Sequence, residues 1–442
     1  MTGRRPLCSL VLAGCALATL AGCPAPEPSS VDRHPASSST AVPLPARETD
    51  ASIGLPAYQG PPPEGPRSSG PVTRLRAAVD LTPAAPGIFS RVRFAAAAPD
   101  GGGYVVLTPD DAGLPERLGT VSLVGGRFAV TASVPIPLGD VWGMQRLTDG
   151  RLALAGPLPP GEGNTGGYGF AVLDPRTGAH RTIVALPFGS PSDLAFGRSA
   201  LGPDGRTMYL FISLAAGAGP RQRLVAVDGR SGRVLSDRDL SSDVAGASEV
   251  PVGRDVAGLV PRPGGGVTLV FDATPDATRP GRIPTVLTFD ARLAPVGGPV
   301  RVTSLAEGAR TRAVAAGIDG TVFLVVAVPG GTWILAVPDR GGAGPVLVQL
   351  TDSLYDHALY DHALYDRALV VEPAQVWALV PAPTGAQAVD LTTGKLRPPV
   401  DVGCPGQDVR AMFPAGDGAG ALLIGECDSP RTRTQMLWIV GH

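Results

Sequence analysis

A turn signal recurs along this chain, and its spacing restricts the fold more than any other feature. Short apolar or alternating runs end in Val172-Leu173-Asp174-Pro175-Arg176-Thr177-Gly178, Val225-Ala226-Val227-Asp228-Gly229-Arg230-Ser231-Gly232 and Ala388-Val389-Asp390-Leu391-Thr392-Thr393-Gly394. Looser copies end at Asp290 and Asp339, so the five aspartates follow one another at 54, 62, 49 and 51 residues. Gly125, after Val121-Ser122-Leu123-Val124, and Gly441, after Leu437-Trp438-Ile439-Val440, extend the series to seven units.

A second signal precedes several of these turns. It reads Asp149-Gly150, Asp204-Gly205, Gly265-Gly266, Asp319-Gly320 and Asp417-Gly418, each ahead of a run rich in β-forming residues. Such dipeptides suit tight hairpins because glycine accepts positive φ at little steric cost. Each unit therefore reads strand a, Asp-Gly turn, strand b, loop, strand c, Asp-x-x-Ser/Thr-Gly turn, strand d. No sustained helical period interrupts the pattern. The 59 glycines and 47 prolines would suggest low complexity if scattered, but they fall at regular turns. Seven four-stranded units of roughly 50 residues predict an all-β, seven-bladed β-propeller.

The chain ends supply a further expectation. Gly441-His442 stops where the last unit should turn into its strand d, and Val72-Thr73-Arg74-Leu75-Arg76-Ala77-Ala78-Val79-Asp80-Leu81 resembles the strand-d segment that starts at Gly232. Pairing this first strand into the last blade would close the ring and remove an exposed edge.

Ahead of the propeller, predicted over 71–442, lie two segments of different character. Arg4-Arg5, an apolar run from Leu7 to Leu20 and Leu20-Ala21-Gly22-Cys23 follow the layout of a signal peptide over 1–22. The last four residues resemble the bacterial lipobox, which implies a lipid on Cys23. Residues 23–70, rich in Pro, Ser, Ala and Gly, have too little apolar surface to offset their ordering entropy and are expected to form a disordered tether. No later run is long and apolar enough to span a bilayer. The expected address is the outer face of the cell membrane. Beyond Cys23 only Cys404 and Cys427 remain, and an oxidising compartment would allow them to form a disulfide.

Pro203-Asp204-Gly205-Arg206-Thr207-Met208-Tyr209-Leu210, with Leu224-Val225-Ala226-Val227-Asp228 and Ser231-Gly232, resembles the repeat of YVTN and quinoprotein-like bacterial propellers. The resemblance covers the body of the chain and implies the propeller fold. Because that group includes lactonases, dehydrogenases and binding modules, it implies no single activity.

Candidate chemistry sits where strand a begins. Asp140, Asp193, Asp255, Asp366 and Asp408 each precede an apolar inner strand, Arg310 takes that place in the fifth unit, and Arg312, Arg367 and Arg410 follow. These residues would converge at one mouth of the central channel and bind a cation or polar ligand. The favoured alternative is that each Asp bonds neighbouring backbone amides, as aspartates do at turns. No histidine has a nucleophile-elbow partner and no His/Cys set has zinc spacing. A five-residue unit is written three times over 354–368, twice as Leu-Tyr-Asp-His-Ala and once as Leu-Tyr-Asp-Arg-Ala. Its paired Asp and His suggest a metal or partner site, but His357 and His362 share neither one helix face nor one strand face, and the favoured reading is a slippage duplication in a surface connection. The four tryptophans lack a repeated motif, which argues against a quinone dehydrogenase. A formal charge of -2 gives no hint of nucleic acid, and no cofactor is predicted. Two functions remain: a membrane-anchored binding or scaffolding propeller for an envelope protein or small polar ligand, and a metal-dependent, lactonase-like hydrolase.

Overall fold

The computed structural model describes residues 70–442, apart from intervals at 85–88, 110–113, 159–166, 188–193, 217–218, 241–255, 274–281, 303–308, 329–330, 340–345, 351–368, 383, 405–406, 417–419 and 429–432. The described residues form seven four-stranded antiparallel sheets, each built in the order a-b-c-d. Six sheets use strands consecutive in the chain, and blades 1 to 7 follow their inner strands Phe89–Ala97, Gly143–Arg146, Leu194–Leu201, Val256–Pro261, Arg310–Ala316, Val370–Val371 and Gln407–Pro414. In the seventh, strand d is the N-terminal strand Arg74–Asp80, which runs antiparallel to the C-terminal strand Arg433–Gly441 with Arg74 opposite Gly441 and Asp80 opposite Met436. The chain is a seven-bladed β-propeller closed by strand exchange.

Where they lie among the described residues the predicted turns fall at the predicted places, and their chemistry is local; Asp417-Gly418 and the residues after Asp339 lie outside the described residues. Between strands c and d of blade 2, Asp174 Oδ1 accepts from the amides of Arg176 at 2.8 Å and Thr177 at 3.2 Å. Asp228 repeats the bonding with Arg230 and Ser231, and Asp390 with Thr392 and Thr393. Each turn closes on a glycine whose amide donates to the aspartate's own carbonyl, and Gly178, Gly232 and Gly394 all have φ above +70°. An L side chain at those positions would be strained. The strand register is thus set by side chains that bond their own backbone within four residues.

The blades stack face to face, which explains why the central strands do not alternate. Strands b and c of blade 2, Leu152–Leu158 and Gly167–Leu173, are buried at nearly every position, as is Val267–Ala273 of blade 4. A strand covered on both faces reads as a continuous apolar run. The hydrophobic clusters cross blade boundaries: one joins Tyr168 and Phe170 of blade 2 to Leu210 and Ile212 of blade 3, another joins Leu379 of blade 6 to Leu423 and Trp438 of blade 7. By contrast the outermost strand of blade 3, Val234–Asp239, has no buried residue. Burial between blades, at roughly 25 cal/mol per Å² of apolar surface, is the main cohesive term of the ring.

Cys404, beyond the last strand of blade 6, is joined to Cys427 in strand b of blade 7 by a disulfide with Cα atoms 5.8 Å apart. Among the described residues no helix is long and apolar enough to cross a membrane. Cys23 and the predicted tether lie outside the described residues, as does the Leu-Tyr-Asp-His-Ala repeat.

Candidate functional site

Seven inner strands surround the central channel, and their sequences align on the amide that closes each a–b turn. Those amides belong to Ala98, Leu147, Gly202, Arg262, Gly317, Glu372 and Ala415. Five residues ahead of them the ladder slips by one in blades 1, 4, 5 and 7, leaving Arg93, Ala257, Arg312 and Arg410 as the extra residue of a β-bulge. A bulge leaves its residue unpaired and re-aims its side chain. Three arginines are therefore set out of register at one level of the ring.

Two of these arginines sit in networks that tie neighbouring blades. Arg93 of blade 1 pairs with Asp140 at the head of blade 2, and Asp140 also accepts from Trp142 Nε1 at 2.6 Å. Behind them lies Glu116, only 6% exposed, 3.5 Å from Arg93, bonded to the Thr108 hydroxyl at 2.5 Å and to the Val141 amide at 2.8 Å. Burial pushes the Glu116 carboxyl above its usual range, against the opposing pull of Thr108 and Arg93. At the ring closure, Arg410 lies 3.1 Å from Asp408 and 2.8 Å from Glu426, which is 2% exposed. Gln435 Nε2 donates to Glu426, and Gln435 Oε1 accepts from the Val92 amide of blade 1. Between blades 4 and 5, Asp272 accepts from both the amide and the hydroxyl of Thr311. In all three cases an acceptor of one blade takes the amide just before the bulge position of the next.

The structure thus gives the mouth residues specific partners. Asp140 and Asp408 bond side chains, Trp142 and arginines, rather than the local amides that the favoured sequence alternative expected. Their described partners are separate: Asp140 meets Arg93 across the boundary of blades 1 and 2, and Asp408 meets Arg410 of its own strand. Arg312 occupies the bulge of blade 5. Asp193, Asp255, Asp366 and Arg367 lie outside the described residues. Arg93, Glu116 and Gln435 escaped the sequence analysis because their partners come from adjacent blades.

The cavity itself is elsewhere. A channel of about 610 Å³ is lined by residues near the a–b turn ends of the inner strands, including Ala95, Met144, Val260, Val314, Leu369 and Phe413. None of the described mouth residues lines it. The lining begins two residues beyond the bulged arginines, at Ala95 and Val314, about 7 Å along the strands at roughly 3.3 Å per residue. Apart from backbone, its polar lining is Gln145, Arg146 and Thr148 of blade 2. Gln145 Nε2 lies 3.5 Å from the Ser199 carbonyl of blade 3, and Arg146 Nη1 lies 3.4 Å from the Ala97 carbonyl of blade 1. Arg146 was missed, yet a signal existed: it stands where the other inner strands carry Ala97, Leu201, Pro261, Ala316, Val371 and Pro414. Among the described residues no group of three or more His, Cys, Asp or Glu is placed to hold a metal ion.

No protein-family model matches the chain, and no curated protein matches it. Among solved structures it is similar to puromycin hydrolase, with a TM-score of 0.50 and 16% identity over 84% of this chain and 55% of that one. This chain thus spans about half the length of that hydrolase. Streptogramin B lyase gives a TM-score of 0.49 and 12% identity, over 80% of this chain and 94% of that one. The β-propeller domain of the Trilobed protease from Pyrococcus furiosus gives 0.46 and 9%, over 80% and 94%. At such identities the likeness is one of fold, and the chain belongs with β-propellers by architecture.

Proposed function

We propose that this chain is a ligand-binding propeller, held at the outer face of the cytoplasmic membrane by a lipid on Cys23, that takes a small molecule into its central channel. The observation that carries the reading is the channel of about 610 Å³, bordered by inner-strand residues of blades 1, 2, 4, 5, 6 and 7. That volume lies within the roughly 300–1,000 Å³ of small-molecule sites, and a mostly apolar wall with a few polar groups is their usual lining. The anchor rests on the signal-like leader and the lipobox resemblance at Cys23. A hydrolase would call for an acid, base or metal at the channel, and its described lining includes no carboxylate or histidine. Binding is therefore preferred to the lactonase-like alternative.

The test uses the full-length protein and a chemically diverse small-molecule set, read by thermal shift. Ala315→Phe and Ala96→Phe each place a ring in the channel, and both should abolish the shifts seen with wild type. Compounds that stabilise wild type and both variants equally would overturn the channel as the site. Cys23→Ser should move the protein from the membrane fraction to the soluble one; unchanged fractionation would overturn the lipid anchor.

A further inference from the structure

We propose that the channel ligand is an amphipathic organic anion bearing one carboxylate, with Arg146 as its counter-charge; this rests on the channel-binding reading above. Arg146 is the only charged side chain among the described residues that line the cavity. Its Nε is buried without a hydrogen-bond partner, and among the described residues its one hydrogen bond is the long one to Ala97 O at 3.4 Å. Among the described residues no carboxylate lies within ion-pair distance of it. The contrast with three other arginines is sharp. Arg93 and Arg410 each meet two carboxylates, and Arg262 makes a bidentate pair with Asp339 at 2.8 Å.

A guanidinium in a largely apolar cavity is costly to leave uncompensated, and an anion brought by a ligand removes that cost. Six of the seven blades place an apolar residue at the Arg146 position, so repeat architecture does not demand the charge. The planar guanidinium matches a carboxylate through two parallel N–H···O bonds. One cation neutralises one negative charge, so a phosphate dianion would carry an unpaired charge into the channel. The rest of the ligand faces Ala95, Met144, Val260, Val314, Leu369 and Phe413, surfaces that favour an apolar body.

The experiment is isothermal titration of full-length protein with naphthoate, its uncharged counterpart naphthylmethanol, and naphthyl phosphate, against a protein-free detergent blank. Wild type should bind naphthoate about tenfold more tightly than naphthylmethanol, as a charge-assisted pair predicts. Arg146→Gln should erase that preference while leaving naphthylmethanol binding in place, and Arg146→Lys should keep part of it. Equal binding of acid and alcohol, unchanged in Arg146→Gln but lost in Ala315→Phe, would overturn the anion assignment and spare the channel. Naphthyl phosphate binding more tightly than naphthoate would overturn the carboxylate. Absence of binding by all three probes, or binding that Ala315→Phe leaves intact, would overturn the channel reading itself.

Discussion

The amide of Val92 donates to Gln435 Oε1 at 3.1 Å, joining residues 343 positions apart across the seam where the first blade meets the last. The same side chain gives its Nε2 hydrogen to Glu426, which in turn receives Arg410. Gln435 therefore satisfies a backbone donor, a buried carboxylate and, through it, a bulged arginine.

Gln435→Ala should leave the Val92 amide and part of the Glu426 carboxylate unsatisfied. An unpaired buried polar group costs about 1–3 kcal/mol, so the denaturant midpoint should fall with little change in slope. A loss below about 0.5 kcal/mol would show that the seam is held by apolar packing alone.

The Cys404–Cys427 bridge closes a loop with a separation of 23 residues between the sixth and seventh blades. Chain-entropy arguments give about 3 kcal/mol for a loop of that size. Thermal unfolding of wild type with reductant should match that of a Cys404→Ser/Cys427→Ser double variant without it. The variant itself should not respond to reductant, and a wild-type melting temperature indifferent to reduction would contradict the bridge's role.

Asp228 predicts a pH signature for the turn repeat. Burial opposes its ionisation, but Arg206 and the amides of Ser231 and Arg230 prevail and bring its carboxyl down to about 2. Because the folded value is the lower one, the stabilisation is complete above the ordinary carboxylate range and fades as pH falls from about 4 to about 2. Because Arg206 is half exposed and screened by solvent, Asp228→Asn should cost about 1 kcal/mol near neutrality, and its gap from wild type should narrow toward pH 2. A gap independent of pH would assign the effect to turn geometry rather than charge.

How much of this was legible in the sequence divides along the range of the interaction. Asp174, Asp228 and Asp390 announce their turns because each bonds amides two and three residues ahead. The strand exchange was legible because the last unit lacks a fourth strand and the chain start holds a matching segment, as the pairing of Arg74 with Gly441 shows. The aspartates ahead of strand a were legible as positions but not as interactions. Asp140 finds Arg93 across a blade boundary, and Asp408 finds Arg410 within its own strand.

The sequence by itself determined the number of blades, their turns and the mode of closure, since backbone-satisfying side chains and strand periodicity act over a few residues. Only the tertiary structure decided which charges are spent within the protein and which is left for something else. Arg93, Arg410 and Arg146 all stand on inner strands; ring closure sets carboxylates of their own or the adjacent blade beside the first two and an apolar channel beside the third. The physical reason is that a guanidinium's partner is fixed by distance, and across blades distance is set by how the sheets pack around the axis.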